Sequence, residues 1–288
     1  MTAVDDLIKG AIDMHVHFSP DSLIVRRQDA LELAQSARAL GMRGLVLKAR
    51  EYNTVPMAVL ASRLVPEVQV FGSVTLDNEV GGLSPAGALS AARMGAKIIW
   101  MPTITALNSK AKTEKHNNYS LPGLGITLLD VKGQLKPEVR EIFQIAKEFN
   151  IVLASGHSSP KETFALAEEA QRIKFNKMVV THALQSQLAD VALTMDEVTQ
   201  LAKGGAYIEH SFWGFMPTIS NWDAKMLADS IKATGAERCI MSSDFGQFFH
   251  PPAPEGLRLF IGTMLRKGVR EEEIEIMVKT NPAKLLGL

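Results

Sequence analysis

Short apolar runs alternate along the chain with stretches whose apolar residues recur every three or four positions. Residues 11–18 form the first run and read as a strand. Over residues 28–40, Ala30, Leu31, Leu33, Ala34, Ala37 and Leu40 fall near helical spacing, and Gly41 supplies a stop. The rhythm then repeats. Strands are predicted at 44–49, 68–76 and 96–101, and helices at 55–65, where Pro56 fits the first turn, and at 85–94. Residues 102–136 break the pattern with polar residues, prolines and glycines. They read as a long insertion after the fourth strand, with two short strands near 125–131. Beyond it the pattern predicts helix 137–150, strand 151–156, helix 160–173, strand 177–181, helix 194–203, strand 206–210, helix 223–234 and strand 238–242, then helices 254–266 and 271–279. Thr194 and Glu197 have the spacing of a capping box, and Gly204 and Gly205 end that helix.

Eight strands, each followed by a helix or a helix-bearing connection, require parallel strands joined by right-handed crossovers. Eight such units in 288 residues predict a (β/α)8 TIM barrel as one domain spanning 1–288, with the insertion after strand 4. An open doubly wound sheet is the alternative, although no glycine-rich phosphate loop follows the first strand. No internal repeat, low-complexity tract or dividing linker interrupts the chain.

Composition narrows the partners. The chain is 46% hydrophobic with formal net charge +0, so a sizeable core is expected and no basic excess points to nucleic acid or an anionic membrane. No apolar stretch approaches the roughly 20 residues of a membrane span. The opening Met-Thr-Ala-Val-Asp-Asp lacks the basic and apolar regions of a signal peptide, so a cytoplasmic protein acting on a small molecule is expected. A single cysteine, Cys239, excludes an internal disulfide or a Cys-rich zinc site. In the run Arg238-Cys239-Ile240-Met241 it reads as a small buried hydrophobe.

The chemistry collects at strand ends. In Asp13-Met14-His15-Val16-His17-Phe18, residues two apart share a face of the strand. His15 and His17 therefore point together, about 7 Å apart, with Asp13 below them, and Met14, Val16 and Phe18 point the other way. Two such imidazoles suit one metal ion, although His-x-His alone says little. Strand five ends at His157, strand six at His182 and strand eight at Asp244. Four of the seven histidines and one aspartate thus fall at the rim where barrel enzymes keep their active sites.

This set resembles the amidohydrolase superfamily: His-x-His on the first strand, His on the fifth and sixth, Asp on the eighth, and a terminal Asn281-Pro282-Ala283-Lys284-Leu285-Leu286-Gly287-Leu288. It is similar to the amidohydrolase-2 type, which includes aminocarboxymuconate-semialdehyde decarboxylase, and to uncharacterised metal-dependent hydrolases. The resemblance implies that His15, His17 and Asp244 are metal ligands. It implies that His157 binds the same ion or a second one. His182 would be a second-site ligand or a catalytic base and electrophile, and Asp244 would also be catalytic, taking the proton of the attacking water. A divalent metal is implied, zinc foremost, with manganese, iron or cobalt also suited to His and Asp donors. Zinc lowers the pKa of bound water from about 15.7 to roughly 7. Barrels of this family often assemble, so a homo-oligomer fits the resemblance.

The departures from that pattern are informative. Binuclear members carry a lysine or glutamate at the end of strand four, whereas this strand ends Ile99-Trp100-Met101-Pro102, and Lys97 lies at the opposite rim. One tightly held metal is therefore expected. Strand five also lacks the glutamate of base deaminases. Lys48, at the end of strand two, is read as a substrate-anion site, a carbamate ligand or a solvated cation, and Arg50 just beyond it as a second substrate-binding cation. His210 and Trp213 are read as substrate-pocket residues, Asp77 as a loop cap or substrate ligand, His116 and Tyr119 as residues of a candidate lid loop and His250 as a candidate pocket residue, with both of these histidines favoured as bystanders. The resulting functions are hydrolysis of an amide, cyclic amide or lactone, non-oxidative decarboxylation of a small unsaturated or aromatic acid, and a structural metal site closed by four ligands.

Overall fold

The computed structural model describes residues 2–117, 120–121, 123–184, 191–216 and 223–288. Among the described residues there are nine strands: β1 (Ile12–His17), β2 (Gly44–Lys48), β3 (Gln69–Phe71), β4 (Ser73–Thr75), β5 (Ile98–Trp100), β6 (Val152–Ala154), β7 (Met178–Val180), β8 (Tyr207–Ser211) and β9 (Cys239–Ser242). They form parallel sheets of order β1-β2-β3 and β4-β5-β6-β7-β8-β9. Within each sheet every strand neighbours its successor in the chain, the order breaks between β3 and β4, and neither sheet shows the reversal of order that marks a doubly wound fold.

The described residues gather into two compact units. Unit 1 comprises Met1–Ala49, Thr54–Gly72 and Glu209–Leu288, and unit 2 comprises Arg50–Asn53 and Ser73–Ile208. The third predicted strand is two strands, because the chain breaks at Gly72. A Cβ there would stand 2.4 Å from the Cα of Val55, so only glycine lets the helix Val55–Leu64 approach.

In unit 1, β1 is buried on both faces, as parallel strands are: Ile12, Met14, Val16 and Asp13, His15 are all inaccessible or nearly so. The helix Ala30–Ala39 starts at Asp29, whose side chain accepts from Glu32 N (2.8 Å) while Glu32 returns the bond to Asp29 N (3.0 Å). It buries Leu33, Ala34 and Ala37, and it packs on β2. Phe212 stacks on Phe245 and Phe260, with ring centroids 6.1 and 5.0 Å apart, and fills the core below the end of β9.

In unit 2 the helix Pro137–Glu148 buries Val139, Ile142, Phe143, Ile145 and Ala146. Phe143 is wholly buried, so truncating it to Ala removes packing worth about 3–5 kcal/mol. The helix Pro160–Arg172 opens on a Ser159–Glu162 capping box. Glu162 also accepts from Thr127 Oγ1 (2.7 Å) and Leu128 N (2.8 Å), which ties the long insertion to this helix. That insertion holds the helix Lys110–Asn117 and the isolated bridges Ala106–Ile126 and Leu129–Leu135, where two short strands were expected. The expected capping box at Thr194 and Glu197 is formed. Among the described residues no helix is long and apolar enough to cross a membrane.

Candidate metal centre

β1 carries one residue more than β2 between Asp13 and Val16, a bulge of the kind that re-aims side chains. His15, within the bulge, and His17, just beyond it, converge. Their Nε2 atoms lie 3.1 and 3.2 Å from the same oxygen, Oδ1 of Asp244. Asp244 follows β9 with φ 56°, a left-handed conformation few non-glycine residues adopt. Backbone bonds from Asp244 N to His15 O (2.9 Å) and from His17 N to Phe245 O (2.8 Å) hold that turn against β1. Gly246 completes the contact, since a Cβ there would meet His17 Cβ and O at 2.5 Å.

The donor set fits a divalent ion. Zinc ligands at about 2.0–2.2 Å in a tetrahedron lie about 3.3 Å from one another. One ligand atom from each of His15, His17 and Asp244 can be chosen within 4.8 Å of the others, and the contacts above are close to the tetrahedral spacing. His15 Nδ1 stands 3.0 Å from Oε1 of Glu209, which accepts only, so the ring proton belongs on Nδ1. When the ring is neutral, its Nε2 lone pair faces the Asp244 carboxylate and the Lys48 ammonium (3.0 Å), the position from which it can donate to a metal ion. Burial lowers the His15 pKa, but the charges of Asp244 and Glu209 carry it above its usual value. His17 is held well below the usual imidazole range by burial and by the Arg26 guanidinium, whose Nη2 is 3.3 Å from His17 Nδ1.

Glu209 was not picked out by the sequence reading. It is wholly buried on β8 and also accepts from Ser242 Oγ at 2.6 Å. A carboxylate in the apolar run Tyr207-Ile208-Glu209-His210 was the available signal. Lys48 is 4% exposed, with Nζ 3.0 Å from His15 Nε2, so it is a buried member of the cluster rather than a solvated cation. Asp13 accepts from His15 N (3.2 Å) and Ser243 N (3.1 Å), and burial pushes its pKa up to about 7.

In unit 2, His157 and His182 face each other with their Nε2 atoms 3.1 Å apart. Ser109 Oγ lies 2.9 Å from His157 Nδ1, and His157 N donates to Pro102 O (3.0 Å). Gly156 makes the approach feasible: a Cβ there would meet Met101 O and Pro102 O at 2.3 Å. His182 has φ 26°, and both histidines border a cavity of about 30 Å³, room for about one water-sized species. Arg50 is buried in the same unit, with Nη1 2.8 Å from Glu79 Oε1 and Nη2 2.5 Å from Glu51 Oε1. Asp77 caps the loop after β5, accepting from Thr103 N (2.8 Å), Thr105 Oγ1 (2.6 Å) and Thr103 Oγ1.

His210 and Trp213 belong to unit 1. Both are buried, and among the described residues neither ring nitrogen of His210 nor Nε1 of Trp213 has a hydrogen-bond partner. Burial pushes the His210 pKa down to about 4. His250 is buried against Phe245, with centroids 4.4 Å apart. Cys239 is buried, as expected, and burial pushes its thiol up to about 12. Tyr119 lies outside the described residues.

Comparison with known proteins adds to this geometry. Residues 10–209 match the model of a family of unknown function, DUF6282. A search of curated proteins finds no match. Among solved structures, an amidohydrolase from Pseudomonas aeruginosa is 11% identical with a TM-score of 0.64, over 99% of this chain and 98% of that one. The lactonase Lmo2620 from Listeria monocytogenes is 12% identical with a TM-score of 0.61, over 97% and 95%. The 2,6-dihydroxybenzoate decarboxylase from Rhizobium is 14% identical with a TM-score of 0.54, over 97% and 99%. At such identities the likeness is one of fold: the chain has the α/β fold of amidohydrolase-superfamily proteins.

Proposed function

We propose that this chain, which belongs to the family of unknown function DUF6282, is a metal-dependent hydrolase of a small-molecule amide, cyclic amide or lactone, built as a single (β/α)8 barrel domain. The observation that carries the reading is the convergence of His15 Nε2 and His17 Nε2 on one oxygen of Asp244. The fold shared with an amidohydrolase and a lactonase supports it.

A divalent ion held by His15, His17 and Asp244, zinc foremost, would polarise a substrate carbonyl and acidify water. The chain's own groups account for the rest. Glu209 keeps the His15 proton on Nδ1 and so presents Nε2 as a donor, the arrangement of a carboxylate–histidine–metal triad. Asp244 accepts the proton of the attacking water on its carboxylate and returns it to the leaving group. Lys48 Nζ, buried beside His15, holds the developing oxyanion or an anionic substituent. The ring nitrogens of His210 and Trp213, which have no hydrogen-bond partner among the described residues, are available to substrate polar groups, whereas Arg50 enters such a role only by exchanging Glu51 or Glu79. The facing Nε2 atoms of His157 and His182 make that pair the candidate for a second ion, with His182 as the candidate acid or base there.

The likeness to a decarboxylase favours a second reading, loss of CO2 from a small unsaturated or aromatic acid. The deciding experiment pairs elemental analysis after chelator-free dialysis with a screen of amides, lactones and carboxylic acids, run on the chain and on Asp244→Asn. Bound metal with lactone or amide turnover that Asp244→Asn abolishes supports hydrolysis. CO2 release from an acid shifts the assignment to the second reading, and a chain that takes up no added zinc refutes both.

A further inference from the structure

We propose that unit 1 carries a second binding site, for a small 2-hydroxy- or 2-amino-carboxylate, in the cleft of about 680 Å³ whose lining includes Arg26, Arg27, Gln28, Glu32 and Phe248. The cleft holds three polar groups whose needs are unmet in complementary ways.

The Arg26 side chain is 2% exposed. Its Nε and Nη2 donate to Oδ2 of Asp21 at 2.8 and 2.6 Å, while Nη1 is buried with no partner among the described residues. Gln28 donates from Nε2 to Ser36 Oγ (2.7 Å) and to the backbone oxygen of Glu32 (3.3 Å). A carbonyl oxygen only accepts, so the amide orientation is fixed and Oε1 is the acceptor left buried and unpartnered. Arg27 donates from Nη1 to a neutral acceptor, Phe248 O (2.9 Å), and no carboxylate pairs with it among the described residues. The Phe248 side chain is 58% exposed beside them.

A buried donor, an uncompensated guanidinium and a buried acceptor together ask for an anion with a donor next to it. A carboxylate answers the two arginines, and a hydroxyl or amino group on the adjoining carbon answers Gln28 Oε1. An apolar or aromatic remainder lies on Phe248. The cleft is distinct from the metal face of unit 1, because Arg26 touches His17 at Nδ1 while the atom facing Asp244 is Nε2. The inference stands whether or not the hydrolase reading does.

The test titrates L-phenyllactate into the full-length, zinc-loaded chain by calorimetry. One equivalent should bind, and Arg27→Gln, an exposed substitution, should weaken it about tenfold, or about 1.4 kcal/mol. Phenyllactamide, which lacks the charge, and 3-phenylpropionate, which lacks the donor, should each bind more weakly. Binding should persist in His15→Ala/His17→Ala. The proposal is overturned if no binding is seen at millimolar ligand, if Arg27→Gln binds as the parent does, or if the acid binds only when the metal centre is intact.

Discussion

Two pairs of histidines, one in each unit, show how differently the same side chain can be set. In unit 1, His15 and His17 meet a carboxylate on Nε2, and His15 has a second carboxylate on Nδ1. In unit 2, His157 and His182 meet each other, with a hydroxyl behind His157. Anionic neighbours make the first pair the candidate cation site. The second pair is an imidazole dyad in which one Nε2 must carry the proton that the other accepts. Histidine content therefore says less about a site than the charge of what stands behind each ring.

The most drastic way to test this contrast is His15→Ala/His17→Ala. Elemental analysis should show the equivalent held by Asp244 and its partners gone, while His157→Ala/His182→Ala should cost only a second equivalent; equal losses would erase the distinction. Within unit 1 the buried His210 makes an acid-sensitive contribution of its own. His210, pushed down to about 4 by burial, stays neutral in the folded chain while the unfolded chain binds a proton below about 6.5. The unfolded state thus binds more protons between those values, so stability holds above pH 6.5 and falls as pH drops toward 4. The loss reaches about 3 kcal/mol at the lower end. Asp13, pushed up to about 7, takes up a proton in the folded chain over the same range and opposes this, so the His210 contribution is read as the difference between the parent and His210→Phe in thermal unfolding from pH 7 to 4; identical slopes would mean that His210 contributes nothing to acid sensitivity.

Glu209→Gln tests the carboxylate behind His15 and should weaken zinc binding about 10–100-fold in a chelator competition without unfolding the chain. Unchanged affinity would leave Glu209 a structural acid. Smallest is Ser109→Ala, which removes the hydroxyl behind His157. It should lower stability by about 1 kcal/mol in a denaturant titration and leave zinc content at the His15 cluster untouched.

The contrast was half legible in the sequence. The two-residue period of β1 set His15 and His17 on one side, and the strand rhythm placed His157, His182 and Asp244 at strand ends, because both signals are local. Glu209 was missed because its partner His15 is 194 positions away and nothing in Tyr207-Ile208-Glu209-His210 announces that distance. The helix Lys110–Asn117 was missed because Lys-Ala-Lys-Thr-Glu-Lys-His-Asn has no apolar stripe to reveal its period. The helix Ala3–Ile8 was overlooked although Thr2 and Asp5 form its capping box. Gly72 broke an apparently continuous strand for a reason found only in the packing of Val55. Lys48 was left open between surface and site because a strand end does not reveal its own depth.

The left-handed backbone at Asp244 limits what mutation can do there over evolutionary time. Aspartate and asparagine tolerate φ near 56°, glycine welcomes it, and β-branched residues resist it. Of the neighbours one nucleotide change away, asparagine keeps the shape and discards the charge, whereas valine discards both. A lineage that lost its chemistry would therefore be expected to drift to asparagine or glycine here while the fold persisted. An aspartate retained at this position across relatives would then record selection on its charge rather than on its shape.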